Sequence, residues 1–404
     1  MINFYFKTER SNIIVLILTI LLNASFVILN TDLNGAYIML WITLFILFFV
    51  FLKGGIRCLL EFKRYHKQVF IFGVYCLINS FWAIDPIAAI ENGITIIEIL
   101  LCMSVLYAYY NEGDNIDNLL LTLVWSGIVI SVYSLIFYSY DNMVAIASMG
   151  DRIDTEFANV NSIAMAGSTA FVISLYFLFF KRLWLPFLAS LTSIPVIAAS
   201  GSRKAFVMII LGIFVLLMSK FSTKKRMKMI VKMSFLSVIL IIALNLEQDS
   251  SLFYTVNNRM EGLIAMVTGK GEVDSSAKKR ELYIEEGIEQ WVENPILGLG
   301  MANSYIFNSN KTYTHNNYVE LLSCGGLIGF IVYYSMFIYL IFNIWKYRYR
   351  DEKRAVLFGL IIGMSLIMDY GQVSYYSKGT YFQLMILFLY VKVLKENHKN
   401  KIIA

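Results

Sequence analysis

The chain has 404 residues, of which 58% are hydrophobic and only 15% are charged. Soluble domains carry about 25% charged residues, so this composition excludes a soluble globular protein and indicates an integral membrane protein. The formal net charge is +6, but the cations stand in short clusters beside apolar segments, which indicates membrane orientation rather than nucleic-acid binding.

Apolar segments follow one another along most of the chain. A membrane-spanning helix needs about 20 mainly apolar residues, and on that basis we predict about twelve spans. They are centred in residues 12–29, 36–52, 68–84, 88–109, 119–138, 161–180, 183–199, 205–219, 229–244, 318–345, 355–370 and 380–394. The predicted fold is therefore an all-α polytopic membrane protein with a single transmembrane domain over residues 1–404.

The distribution of Lys and Arg orients these spans. Clusters at Lys53–Lys67, Lys220–Lys228, Lys346–Arg354 and Lys392–Lys401 fall on one side if both termini are cytoplasmic. Short cytoplasmic loops carry an excess of Lys and Arg, so we predict that orientation. It leaves one long extracytoplasmic loop with short helices, residues 246–317, between the ninth and tenth spans.

Four arginines lie in predicted outward segments, where the same rule predicts few cations: Arg152, Arg203, Arg259 and Arg280. Arg152 stands among acids and could form a local ion pair. Arg203 begins a helix, so it could anchor in the headgroup layer or bind phosphate beside the helix amides.

The long loop contains a predicted helix with one apolar stripe. Arg280, Ile284, Ile288 and Trp291 are spaced three and four residues apart, and Pro295 ends the helix. An arginine on an apolar stripe points toward the membrane domain or, alternatively, touches lipid phosphates from a helix lying on the headgroups.

His315 is the one histidine predicted on the outer side, since His66 and His398 lie among cytoplasmic cations. A lone histidine is usually structural. This one has Asn316 beside it and Glu320 about one helical turn later, which favours a chemical role.

Taken together, these residues resemble the O-antigen polymerase and ligase superfamily of polytopic glycosyltransferases. The resemblance is carried by Arg152 followed by Asn159-Val160-Asn161, by Ser202-Arg203, and by Arg280, Asn294-Pro295-Ile296-Leu297-Gly298-Leu299-Gly300, His315-Asn316 and the helix Tyr318–Gly329. The family commonly has Asn-Pro-Asn where this chain has Val160 in the middle position.

The resemblance implies a reaction on the outer face of a bacterial cytoplasmic (inner) membrane, with undecaprenyl-diphosphate-linked oligosaccharides as donor and acceptor and without a metal or other cofactor. Transferred residue by residue, the catalytic positions fall on Arg203, Arg280 and His315. Guanidinium groups would meet the charge of the departing diphosphate, and the histidine would act as base toward the acceptor hydroxyl.

Further substrate contacts are predicted for Arg152, Asn161, Lys204, Arg259, Asn316 and Glu320, with Glu320 as a weaker candidate base. The leading function is polymerase of an O-antigen (lipopolysaccharide) or capsule polysaccharide. The alternatives are a ligase that moves glycan to lipid A-core and, from another class, a transporter of lipid-linked glycan. By analogy, a flippase and a chain-length regulator are expected partners, with no nucleic acid.

Overall fold

The computed structural model describes residues 10–29, 33–53, 59, 62–111, 114–139, 142–143, 158–221 and 275–403. All the regular elements in these ranges are helical, which confirms the predicted all-α class for this part of the chain. The chain divides into two compact units, unit 1 (Met1–Ile42 and Asp117–Val273) and unit 2 (Thr43–Ile116 and Asp274–Ala404).

Fourteen α-helices follow one another in the described ranges. They are α1 (Arg10–Ile28), α2 (Leu33–Lys53), α3 (Arg64–Asn79), α4 (Pro86–Tyr110), α5 (Ile116–Tyr138), α6 (Val160–Tyr176), α7 (Trp184–Ser190), α8 (Ser193–Ser200), α9 (Arg203–Lys220), α10 (Ser275–Glu293), α11 (Ser304–Phe307), α12 (Asn317–Tyr347), α13 (Glu352–Asp369) and α14 (Lys378–Ile403).

Five helical stretches are long and apolar enough to cross a membrane, which supports a multi-pass membrane protein. They are Asn34–Lys53, Pro86–Tyr110, Ile116–Tyr138, Val160–Lys181 and Asn317–Arg350. The count of twelve spans and their orientation stay predictions, and the ninth predicted span, 229–244, lies outside the described residues. The seventh predicted span consists of two short helices, α7 and α8, with Pro186 and Pro195 in their first turns, where proline is tolerated.

In unit 1, α6 and α9 pack side by side through small residues. A Cβ added to Gly212 would clash with the Val172 side chain, and the Ser168 hydroxyl lies 3.3 Å from the Met208 sulfur. Small residues let helix backbones approach closely in membrane proteins. Contacts at 168/208 and 172/212 advance in step along both helices, so α6 and α9 run parallel.

In unit 2, α12 is folded back on itself at Gly326, which has φ 59° and ψ −170°. The amide nitrogen of the Asn317 side chain donates to the Tyr334 hydroxyl at 2.9 Å. Seventeen residues of straight helix would separate these two positions by about 25 Å. The predicted span 318–345 is therefore two helical segments, of which the second, 327–347, is about 31 Å long and matches the bilayer core.

The fold-back interrupts the hydrogen bonds of α12, and the segment Pro295–Gly300 replaces them on the carbonyl side. In a continuous helix, the carbonyls of Ser323 and Cys324 would accept from the amides four residues later. Here they accept from the amides of Leu299 and Gly300, both at 2.9 Å.

The same segment satisfies the amide side of the break. The amide of Leu327 donates to the Pro295 carbonyl at 2.9 Å, and the amide of Ile328 donates to the Ile296 carbonyl at 3.3 Å. An unsatisfied backbone group costs several kcal/mol in hydrocarbon. Four backbone hydrogen bonds therefore join the loop segment to the broken helix and satisfy two carbonyls and two amides at the break.

Two glycines make this exchange sterically possible. Gly298 and Gly326 both have positive φ, 71° and 59°. A Cβ on Gly326 would overlap the carbonyl of Ile296, and a Cβ on Gly298 would overlap the carbonyl of Cys324. The segment Pro295–Gly300 therefore crosses the break in α12 at close backbone contact, and we call this contact the crossing.

We expect Gly326→Ala to lower the free energy of unfolding by about 3 kcal/mol or more, because it adds both left-handed strain and a backbone clash. Gly359→Ala in α13 is the matched control, since a Cβ there meets nothing within 4 Å. That control should be stabilising by about 0.5–1 kcal/mol, because alanine favours helix over glycine. Thermal unfolding in detergent, followed by tryptophan fluorescence, measures both; equal effects would contradict the crossing.

Candidate active site

His315 is held in a left-handed backbone conformation, with φ 57°. Its ring packs against two tyrosines: the Tyr313 ring centroid lies 4.1 Å away, and the Tyr283 ring is stacked at 5.9 Å. The left-handed conformation costs a non-glycine residue about 1–2 kcal/mol. Such a conformation persists where the residues on both sides are fixed by other contacts.

On the amino-terminal side, the fixing group is the buried Glu320. One of its carboxylate oxygens accepts from both the amide and the hydroxyl of Thr314, each at 2.8 Å. Its other oxygen accepts from the hydroxyl of Ser304. Glu320 thereby ties the residue before His315 to the short helix α11.

On the carboxyl-terminal side, Asn316 caps α12. Its side-chain oxygen accepts from the amides of Tyr318 and Val319 at 3.0 and 3.3 Å. Asparagine is a favoured N-cap because its oxygen satisfies amides that have no partner within the helix. This cap fixes the start of α12. It therefore also fixes the backbone immediately after His315.

Asn317 extends the frame to the loop between α13 and α14. Its side-chain oxygen accepts from the amides of Ser374 and Tyr375 at 2.8 and 3.0 Å. Its nitrogen also lies 3.3 Å from the buried carboxylate of Asp369, which accepts from the Tyr334 hydroxyl at 2.9 Å. These residues were not predicted; the available signal was Asp369 itself, a carboxylate inside an apolar segment.

Arg280 is brought to the same place by α10. The buried face of this helix is formed by Tyr283 and Gly287, and a Cβ on Gly287 would clash with the Val319 side chain at the start of α12. Ile288, placed on the predicted packing stripe, is exposed instead. The row of Tyr283 and Gly287 packs on α12, and the predicted row of Ile288 does not. That Arg280 points toward the membrane domain stays a prediction.

The pKa of Tyr313, the tyrosine beside His315, is influenced by the charge of Arg280. Burial raises the pKa of Tyr313, while the Arg280 guanidinium acts in the opposite direction and Glu320 adds to the rise. A charge acts on a pKa in this way when it lies close to the titrating group. Tyr313 therefore links the two residues, because its ring packs against His315 and its pKa responds to the charge of Arg280.

The segment that carries His315 is also fastened to the turn between α3 and α4. The Asn303 side chain accepts from the amide of Asp85 at 2.6 Å and donates to its carbonyl at 3.1 Å. The Tyr305 hydroxyl donates to the Asp85 carboxylate, and this bond is the main cause of the lowered pKa of Asp85.

Other predicted site residues lie in unit 1. Arg203 and Lys204 open α9. The hydroxyl of Ser202 just before them is buried and has no hydrogen-bond partner among the residues that the structure describes. Asn161 lies in the first turn of α6, and the parallel packing of α6 and α9 puts it at the same end as Arg203. Val160 is the first helical residue, a position that accepts proline, so its departure from Asn-Pro-Asn is conservative.

The structure brings together Arg280, His315, Asn316 and Glu320 in unit 2, and Asn161, Arg203 and Lys204 in unit 1. Arg152 and Arg259 lie outside the described residues. That all of these residues serve one site stays a prediction.

Residues 188–334 match a family model described as O-antigen ligase. The match spans Arg203, Arg280, His315 and Glu320, and it confirms the resemblance to the O-antigen polymerase and ligase superfamily over this region. Members of this family are glycosyltransferase-like enzymes, ligases or polymerases. No curated protein sequence matches the chain.

We expect Glu320→Ala to lower the free energy of unfolding by about 3–5 kcal/mol, because it leaves the buried amide and hydroxyl of Thr314 and the hydroxyl of Ser304 without an acceptor. Glu289→Ala, which removes an exposed carboxylate from α10, should change stability by less than about 0.5 kcal/mol. Unfolding of both variants in one detergent makes the comparison, and similar stabilities would show that Glu320 does not hold the loop.

Proposed function

We propose that the chain, whose residues 188–334 resemble the O-antigen ligase family, is a membrane glycosyltransferase that joins lipid-diphosphate-linked oligosaccharide repeat units into a polysaccharide. The observation that carries the proposal is the strained His315, packed against two tyrosines, with Arg280 on the adjacent helix. Backbone strain that the surroundings hold in place is typical of functional sites.

In this proposal, His315 is the base. It takes the proton of the acceptor hydroxyl while that oxygen bonds to the anomeric carbon of the donor sugar. The bond between this carbon and the diphosphate oxygen breaks, and the lipid diphosphate leaves. The fixed residues on either side of His315 support this role, since a base acts efficiently only within hydrogen-bond reach of the proton it takes.

Arg280 and Arg203 would neutralise the charge that develops on the leaving diphosphate. Guanidinium groups bind phosphate oxygens with two parallel hydrogen bonds. The buried Ser202 hydroxyl, which has no partner within the described ranges, and the first turn of α9 support a phosphate position at Arg203, because helix amino-termini attract anions. Lys204, Asn161, Arg152 and Arg259 are proposed to assist substrate binding.

Asn316 and Glu320 receive supporting roles in this proposal. Both oxygens of Glu320 already accept hydrogen bonds from Thr314 and Ser304, which favours positioning of His315 over proton transfer. The side-chain oxygen of Asn316 is likewise engaged with the helix. Their predicted contacts with substrate stay predictions.

The second candidate is a ligase that transfers finished glycan to lipid A-core, because the matching family includes ligases as well as polymerases. Both reactions would use the same donor and base and differ in the acceptor. The extracytoplasmic placement of the site, the inner-membrane location, metal independence and the flippase and chain-length partners belong to the proposal with either acceptor.

The polymerase proposal is tested by incubating the purified protein with one lipid-diphosphate-linked repeat unit in a chelating buffer and separating the products by length. We expect a ladder of products, and Arg280→Ala should slow its formation by about 10²–10³-fold, because it removes charge stabilisation at the leaving group. Lys279→Ala, which removes a neighbouring exposed cation, is the control and should retain the ladder. No ladder with the cognate repeat would overturn the polymerase, and product formation on lipid A-core would then establish the ligase.

A second prediction concerns His315 itself. His315→Asn should reduce turnover by about 10²–10⁴-fold, because asparagine adopts the left-handed conformation but is not a base. Lys311→Gly is the control for backbone relaxation, since Lys311 also has a positive φ of 51° and should keep activity. Full turnover by a folded His315→Asn protein would remove the histidine from the mechanism.

A further inference from the structure

The helix α10 carries a single row of side chains that changes from cationic to apolar. Residues four apart lie on one line of a helix. The row begins at Arg280 and continues through Ile284, Ile288 and Val292 toward Ile296, which follows the helix. Ile288, Val292 and Ile296 are 43%, 67% and 62% exposed, so three apolar side chains of this row face outward from unit 2.

The apolar end of the row joins the surface of a candidate membrane span. The carbonyl of Ile296 accepts from the amide of Ile328 in α12. The exposed apolar residues of α12 around this bond are Leu327, Ile328 and Ile331. The row therefore leads from the Arg280 guanidinium to a surface that is apolar enough for hydrocarbon.

The row is narrow and has an acidic edge. The adjacent line of α10 consists of four exposed glutamates, Glu281, Glu285, Glu289 and Glu293. On the other edge, Tyr283 and Gly287 are buried against unit 2. A helix that rests on a bilayer has a broad apolar face and basic flanks that attract anionic lipids. A strip one side chain wide, edged by carboxylates, fits a single hydrocarbon chain better.

We infer that this row binds the isoprenoid tail of the lipid-linked diphosphate substrate, with the diphosphate at Arg280 and the tail running along Ile288 and Val292 toward α12. The inference rests on the proposed function and adds a path for the lipid. From Arg280 to Val292 the row is about 18 Å long. A ligand with a dianionic head and a long apolar tail matches this order of charge and hydrocarbon.

The test compares two substrates that share the repeat unit and the diphosphate but differ in the tail, which has fifty-five carbons in one and ten in the other. Ile288→Ser and Val292→Ser should each raise the ratio of the long-tail KM to the short-tail KM about tenfold, because each removes an apolar contact from the long tail. Leu282→Ser is the matched control, since Leu282 is also 43% exposed but lies off the row. It should leave the ratio unchanged.

An equal change in both KM values, or no change in either, would overturn the track in favour of general membrane contact. A second arm needs no turnover: undecaprenyl diphosphate with a photoreactive diazirine in its tail should label α10 in the wild type and label it several-fold less in Ile288→Ser. Labelling confined to other helices would overturn the inference. Labelling of α10 by a protein that transfers no sugar would support the lipid track while overturning the proposed function.

Discussion

The exchange of backbone hydrogen bonds between Pro295–Gly300 and the break in α12 is the constraint on which the rest of unit 2 depends. The helix opens at Gly326, and the loop segment bonds to two of the carbonyls and two of the amides at the break. The Tyr75 hydroxyl donates to a third carbonyl at the break, that of Gly325. The crossing fixes where α10 ends and where α11 begins relative to α12. The loop cannot shift along α12 without losing these hydrogen bonds.

This constraint explains how a strained histidine can be maintained on a loop. His315 lies in the connection between Gly300, where the crossing ends, and Asn317, where α12 begins. Glu320 fixes the approach, and the Asn316 cap fixes the departure. Since both ends are held by buried hydrogen bonds, the cost of the left-handed backbone is offset within the same segment. In the proposed mechanism, this frame would keep the orientation of His315 fixed while substrates exchange.

The helix α10 serves three different environments at once. One line of side chains packs on α12 through Tyr283 and Gly287. A second line consists of exposed glutamates, and the line between these two runs from Arg280 to exposed apolar side chains. Periodicity placed Arg280 and Ile288 together correctly, but it could not say which neighbouring line packs inward. Gly287 decides this, because a residue without a side chain lets α10 approach Val319 closely.

The sequence by itself determined the helical membrane class, the loop with its Arg280 and His315, and the family resemblance, because apolar length and side-chain chemistry are local properties. The tertiary structure decided the fold-back of α12, the strained conformation of His315 and the use of Glu320 as a fastening. Gly326 stands in an otherwise helical apolar run, and Glu320 stands where a second base would be plausible. The role of Gly326 depends on the segment Pro295–Gly300, and the role of Glu320 depends on Thr314 and Ser304. The neighbouring residues in the sequence do not reveal which groups elsewhere in the chain a residue will pack against or bond to.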